Sequence, residues 1–324
     1  MFFARSPLRI CFAGGGSDIP AFYENYGGGE VISCSINKFV YHVVQESYSR
    51  QFLLRYSSNE VVEELGQIRH PLFREVIRWF CDNHRLDFVE VASFADVPSG
   101  TGLGSSGAFT VGLIIALAKL INTDISNEEA ARLACEIEIE RLGEPVGKQD
   151  QFASAYGGLR HFEFSADQTV SVSDHLIGHD QLQKLSDHIL LFYTDIRRSA
   201  SAVLKSQSSS KVGLEHYALS RDEVPEVRRM LQSGDVVSYG RLVGEQWERK
   251  RKTSPDMSSG EIDEIYQLGI RAGAYGGKLV GAGGGGFFMF VSDKPMQVRK
   301  ELAKKGLREL EFKLTSEGVS AASL

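Results

Sequence analysis

The 324-residue chain holds only four cysteines, Cys11, Cys34, Cys81 and Cys135, which lie far apart with no C-x-x-C pair. That spacing offers neither a zinc knuckle nor a disulfide framework, and it suits a reducing compartment in which the four are buried small hydrophobes. Basic charge is scarce as well. The formal net charge is -6 with no Lys/Arg block, which excludes a nucleic-acid or anionic-membrane surface and leaves a small polar ligand as the default partner. No apolar run reaches the roughly 20 residues needed to cross a bilayer; the most continuous one, residues 108–118, stops at Lys119. The apolar start "MFFARSPLRICF" is broken by Arg5, Pro7 and Arg9 before a signal-peptide core can form, so the chain is expected in the cytoplasm. Internal repeats are absent, and low complexity is confined to "KSQSSSK", read as a surface loop.

What the chain does have is length for two domains and a change of texture near residue 180. Up to that point β-branched and aromatic runs such as "LRICFAG", "EVISCSI", "FVYHVVQE", "QFLLRY" and "DFVEVASF" predict strands. Helices are predicted over "PLFREVIRWFCDNH" and after Ser126, which with Glu129 forms a capping box opening "NEEAARLACEIEIERLG". Strands return at "LRHFEF" and "TVSVS". Beyond residue 180 the pattern is a strand "HILLFYTD", helical segments over 199–252 and 259–272, a glycine-centred hairpin "GGKLVGAGGGGFFMFVS", a helix from Pro295 and a closing strand "RELEFKL". That order predicts an α+β unit with an antiparallel sheet, and domains of 1–180 and 181–324.

Between a strand and a buried helix lies "PSGTGLGSSG", residues 98–107, in which Gly102, Gly104 and Gly107 spell G-x-G-x-x-G. A dinucleotide-binding fold would need a second parallel strand ending in an acid about 20 residues on. That count lands near Asp124, between two helices and after no strand, so the ribose-binding half is missing. No Gly-Lys-Ser/Thr follows, so the loop is not a Walker A loop. What remains is a set of backbone N–H groups at a helix N-terminus, facing an anion that the helix dipole favours. The hydroxyls of Ser105 and Ser106 stand ready for a metal or phosphate oxygen. Two further glycine corners, "LRICFAGGGSD" and "KLVGAGGGG", place Arg9 and Lys278 on strands that run into them. Three such corners imply that backbone is being brought close to something.

The ordered motifs P-L-R-I-x-x-x-G-G-G-S-D, P-S-G-T-G-L-G-S-S-G-A, G-K-Q-D-Q and G-G-K-x-x-G-A-G-G-G-G resemble the GHMP family of small-molecule kinases along nearly the whole chain. Within it, "TDIRRSA" and "WERKRKTSP" add a resemblance to the heptose 7-phosphate kinase branch. The resemblance implies a two-domain α+β fold, with an N-terminal domain like the second domain of ribosomal protein S5 and a ferredoxin-like C-terminal domain. It implies ATP and Mg2+ as cofactors, a sugar phosphate as substrate and transfer to the anomeric hydroxyl. Other sugar 1-kinases of the fucokinase, galactokinase or octose-phosphate type stay open, as does a non-catalytic relative that binds without turnover.

The resemblance also assigns positions. Asp150 is the expected catalytic aspartate and Arg9 the basic residue facing it; a helix-capping carboxylate and a surface arginine are the plain alternatives. Pro98, Gly100, Gly102, Leu103, Gly104, Ser105, Ser106 and Gly107 form the expected ATP loop. Glu138 and Ser106 are the expected magnesium ligands, hard oxygens of the kind that ion takes, with Glu140 in reserve and Glu136 a solvated neighbour. Asp18 is expected on sugar hydroxyls, with Gly15 and Gly16 leaving room for a bulky sugar and Gly283 and Gly284 of the third glycine corner expected among the substrate-binding residues. Arg198 is expected on the substrate phosphate, or else Lys250, Arg251 and Lys252, whose plain reading is an exposed helix face. His175 and His179 are read as surface residues, Trp79 and Trp247 as core.

Overall fold

The computed structural model describes residues 1–84, 86–196, 200–208, 210–254 and 257–324. Its strands are β1 (Phe2–Ala13), β2 (Gly29–Glu46), β3 (Phe52–Arg55), β4 (Asn59–Val62), β5 (Val89–Ala95), β6 (Leu159–Phe164), β7 (Val170–Val172), β8 (Ile189–Tyr193), β9 (Gly276–Leu279), β10 (Phe287–Val291), β11 (Arg308–Glu309) and β12 (Ser320–Ser323). Its helices are α1 (Pro20–Tyr23), α2 (Pro71–His84), α3 (Ser105–Leu120), α4 (Asn127–Cys135), α5 (Gln149–Tyr156), α6 (His179–Asp187), α7 (Ala200–Ser208), α8 (Lys211–Asp222), α9 (Val224–Ser233), α10 (Val236–Lys250), α11 (Gly260–Arg271) and α12 (Pro295–Lys304). No helix among the described residues is long and apolar enough to cross a membrane.

The first sheet has eight strands and is organised by β2, which pairs antiparallel with β1 along its length, with β5 over residues 40–46 and with β6 over residues 29–34. The sequence predicts two strands here. They form one because Asn37 and Lys38, which read as a turn, are spanned by a register shift between Pro7 and Arg9 that bends β2 without ending it. Pro7 is tolerated because β12 covers β1 only as far as Arg5, so the missing N–H costs no ladder bond there. The helix α3 is apolar almost all round and fully sandwiched, with residues 107–118 buried except Phe109. Together with α2, α4 and the inner face of the sheet it encloses one core, in which Phe73, Phe80, Phe152 and Phe162 are buried.

The second sheet runs β11-β8-β10-β9, all antiparallel. In chain order that is 4-1-3-2 with helices between the first and second and between the third and fourth strands, the split βαβ arrangement of ferredoxin-like domains. The expected glycine-centred hairpin is present as β9 and β10. A second hydrophobic cluster joins the two halves, packing Leu8, Ile10 and Phe12 of β1 with Leu191, Tyr239 and Met289.

The expected closing strand needs correction. Only Arg308–Glu309 of the closing "RELEFKL" segment is strand. The chain then returns to the first sheet, where Ser320–Ser323 pairs with Phe2–Arg5 and Val319 N–H donates to Ser154 O at 3.0 Å. We therefore propose a domain division near residue 180 for all but this tail, which the free edge of β1 captures.

Candidate active site

The glycine corners are pressed against one another. Gly100, Gly102 and Gly104 all have φ between +73° and +87°, a region where an L side chain costs about 1 kcal/mol or more. A Cβ on Gly102 would strike the Val280 carbonyl, and one on Gly281 would sit 2.5 Å from Gly102 Cα. A Cβ on Gly107 would lie 2.8 Å from the backbone of Asp150. The glycines therefore serve close approach of three backbone segments, and the space left between those segments is a cavity of about 390 Å³.

On one side of the cavity α3 begins at Gly104 with no side-chain cap, so the first N–H groups of the helix are free to meet an anion. Gly100, Gly102, Gly104, Ser105 and Ser106 line the cavity here; of the other expected loop residues, Pro98 is exposed and Leu103 and Gly107 are buried behind the loop. His70, Pro71 and Leu72 at the start of α2 close the same side.

At the centre Arg9 and Asp150 meet. Arg9 Nε and Nη2 both lie 2.6 Å from Asp150 Oδ1, and Nη1 donates to the Gly102 carbonyl at 2.6 Å. Arg9 is buried at the bend of β1, where its own N–H donates to Leu103 O at 3.0 Å. Asp150 sits in the first turn of α5, where the helix dipole favours a negative charge. Gly104 completes the fit, since a Cβ there would lie 3.0 Å from Arg9 Cγ and 3.3 Å from Asp150 Cγ.

Glu138 lines the cavity, accepting hydrogen bonds from Ser106 Oγ and, at 3.1 Å, from Gln151 Nε2. The expected helix continues past Cys135 in a widened form, a π turn over Glu136–Arg141. Such turns redirect side chains and recur at functional sites. Here Glu138 is turned inward and buried, Glu140 is exposed, and Glu136 pairs with Arg141 at 2.6 Å. Burial pushes the Glu138 carboxyl up to about 7, against the opposing hydrogen bonds from Ser106 and Gln151 and with help from the Asp150 charge. Gln151 Oε1 and Gln149 Oε1 are buried with no hydrogen-bond partner among the described residues.

Asp18 is also buried, and burial raises its carboxyl above the usual range. Its Oδ1 accepts from Gly16 N–H at 3.1 Å and its Oδ2 from Gln149 N–H at 3.0 Å, so it ties the first glycine corner to the start of α5, the helix that carries Asp150. A Cβ on Gly147 would land on Asp18 Oδ2. Gly15 and Gly16 line this side with Asp18, and Gly16 makes room for the Tyr217 ring of α8. At the third corner Gly281 and Ala282 line the cavity, whereas Gly283 and Gly284 do not; Gly283 packs under Met257. Arg198 lies outside the described residues.

The far wall is formed by Gln207, His216, Tyr217 and Gln246, none of which lies in a motif that marks it in the sequence, with Lys278, on the strand that runs into the third glycine corner, beside them. Lys250 turns into the cavity, while Arg251 pairs outward with Asp263 at 3.1 Å and Lys252 is exposed. The available signal was the i, i+4 spacing of Gln246 and Lys250 on one face of α10. Cys11, expected to be a buried small hydrophobe, lines the cavity as well. His175 and His179 are exposed, and Trp247 is core as expected.

Two family descriptions match the chain: "GHMP kinases N terminal domain" over residues 71–158 and "GHMP kinases C terminal" over residues 217–307. The D-glycero-alpha-D-manno-heptose 7-phosphate kinase of Campylobacter jejuni is 31% identical, over 98% of this chain and 97% of that protein. The L-fucokinase/L-fucose-1-P guanylyltransferase of Bacteroides fragilis is 26% identical over 97% of this chain but only 38% of its own length. Among solved structures, a D-glycero-D-manno-heptose 1-phosphate kinase from Bacteroides thetaiotaomicron superposes with a TM-score of 0.85 at 25% identity, covering 100% of this chain and 99% of that one.

Proposed function

The chain belongs to the GHMP kinase family, and from that premise we propose that it transfers the γ-phosphoryl group of ATP to the anomeric hydroxyl of D-glycero-D-manno-heptose 7-phosphate, giving the 1,7-bisphosphate. It is an ATP-dependent sugar kinase. The heptose assignment is supported by full-length similarity to the Campylobacter enzyme; Gly15 and Gly16 lend it nothing, because the space beside them is taken by Cys11 and by the Tyr217 ring.

The observation that carries the catalytic reading is the Arg9–Asp150 pair, held 2.6 Å apart between the glycine loop and the cavity. Phosphoryl transfer asks for positioning and charge stabilisation more than for covalent chemistry. The triphosphate rests on the free N–H groups at the start of α3. The sugar C1 hydroxyl lies against Asp150, which accepts its proton as the C1 oxygen bonds to the γ-phosphorus and the bond to the ADP oxygen breaks. Arg9 holds Asp150 in orientation through two guanidinium nitrogens and offers positive charge to the group in flight. Asp18 anchors sugar hydroxyls.

The donor set fits magnesium: Glu138 and Ser106 supply hard oxygens into the cavity, and no cation is paired with Glu138 among the described residues. When bound, the ion would neutralise triphosphate charge, with Ser106 and Glu138 as its protein ligands. The cytoplasm is the compartment we assign, where ATP and reduced thiols coexist.

A coupled ATP-consumption screen over sugars and sugar phosphates, with the product phosphate located by 31P NMR, tests the reading. Heptose 7-phosphate phosphorylated at C1 is the expected outcome. A preference for galactose or fucose would replace it with another sugar 1-kinase activity.

A further inference from the structure

Two buried-facing ammonium groups in the cavity have no role in the mechanism above. Lys250 comes from the last turn of α10 and Lys278 from β9, and both line the same space. Their partners are neutral: Lys250 Nζ donates to the Gly281 carbonyl at 2.5 Å, and Lys278 Nζ to the Phe12 carbonyl at 3.2 Å and to Gln246 Oε1 at 3.1 Å. Among the described residues no carboxylate forms an ion pair with either. The carboxylate whose field reaches Lys278 is Glu223, and it is paired with Arg249 and accepts from Gln246; of the acids on the cavity wall, Asp150 is committed to Arg9 and Asp18 to the N–H groups of Gly16 and Gln149.

Two like charges sharing a low-dielectric cavity repel, and among the described residues no carboxylate pairs directly with either to offset it. The cost is visible in the protonation of Lys250, which burial and the neighbouring Lys278 push down to about 7, with Arg9 adding to the repulsion; Lys278 is lowered by burial as well. His216 on α8 is pushed down by burial and then by the same positive field, and among the described residues its buried Nδ1 has no hydrogen-bond partner. A phosphate dianion placed among these groups would relieve the repulsion and take donors from both lysines.

Building on the sugar-kinase reading, we propose that Lys250 and Lys278, with His216, Gln207 and Gln246 around them, form the subsite for the phosphate that the sugar acceptor already carries. The subsite adjoins Gly16, Asp18 and Tyr217, which line the sugar side of the cavity. Ser105, Ser106, Glu138 and the start of α2 line the ATP side of the same cavity, and Arg9 of the Arg9–Asp150 pair is near enough to repel Lys250. An acceptor with its reacting hydroxyl and its phosphate at opposite ends can then reach both Asp150 and the lysines.

The test compares kcat/KM for D-glycero-D-manno-heptose 7-phosphate with that for the unphosphorylated heptose, in the wild type and in Lys250→Met, Lys278→Met and Lys250→Arg. Loss of one charge-assisted contact should shrink the preference for the phosphorylated acceptor by about 10- to 100-fold, chiefly through KM, and Lys250→Arg should recover most of it. An unchanged preference ratio in both methionine variants overturns the proposal, as does an equal loss on both acceptors, which would assign the lysines to the transferred group or to the fold. Inorganic phosphate titrated calorimetrically into the nucleotide-free protein adds a readout without turnover. It should bind the wild type and bind Lys250→Met at least about 10-fold more weakly; equal binding overturns the subsite. If the wild type phosphorylates neither sugar, the kinase substrate reading itself fails, whichever way the phosphate titration falls.

Discussion

Replacing Glu138 by Gln should stabilise the nucleotide-free, metal-free protein at alkaline pH and leave it unchanged in mild acid. Glu138 is 1% exposed, and its carboxylate takes hydrogen bonds from the neutral Ser106 hydroxyl, Gln151 amide and Thr110 hydroxyl. Burial raises its folded-state value from 4.5 to about 7. Between those two values the folded state holds a proton that the unfolded state has released, so stability falls as pH rises through that interval and stays low above it. At about 1.4 kcal/mol per pH unit, the interval amounts to roughly 3 kcal/mol. Gln keeps the size and can still accept from Ser106, but it carries no charge to desolvate. The stability difference between Glu138→Gln and wild type should therefore be near zero at pH 4.5 and approach ~3 kcal/mol by pH 8, or ~6 °C in Tm at about 2 °C per kcal/mol for a chain of this length. Thermal unfolding in EDTA across pH 4.5–8.5 measures it. Lys250 and His216 also titrate abnormally, but both proteins contain them and the difference cancels them. Parallel Tm curves for the two proteins would refute the claim that this carboxylate is buried without a cation.

Gly104→Ala should cost about 1 kcal/mol of stability from its φ of +75°. Its larger effect should be on turnover, because the new methyl lies 3.0 Å from Arg9 and displaces the Arg9–Asp150 pair; a kcat within twofold of wild type would contradict the geometry. Gly147→Ala places its methyl on Asp18 Oδ2 and should raise the acceptor KM several-fold while leaving the KM for ATP near wild type; an effect on ATP alone would reassign Asp18. The same Glu138→Gln variant should require more magnesium for half-maximal rate, and an unaltered titration would move the metal to other oxygens.

The strands and helices that bury one face were legible because periodicity follows from burial: α2 was readable to its ends, and the capping box at Ser126 and Glu129 forms as expected. Strands that exist only by pairing were not. Asn59–Val62 is half exposed, and Ser320–Ser323 has little strand propensity and is held by the edge of β1. The loop glycines could be read as points of close approach, but that two corners close on each other, Gly102 on Gly281, is a long-range fact. At Glu138 local periodicity fails for a physical reason, since the π turn shifts which face of the helix each residue occupies. Lys250 shows the same limit: one helix face among three successive basic residues looks solvated until α10 is docked against β9.

The central claim is that Asp150, fixed by Arg9, receives the proton of a sugar hydroxyl beside a triphosphate held by the start of α3. Pre-steady-state turnover of Asp150→Asn, alongside calorimetric binding of an ATP analogue, tests it most directly. The account predicts near-normal nucleotide affinity with a rate of sugar phosphorylation about 10²- to 10⁴-fold lower. Full turnover in that variant, or loss of nucleotide binding in step with loss of rate, would contradict it.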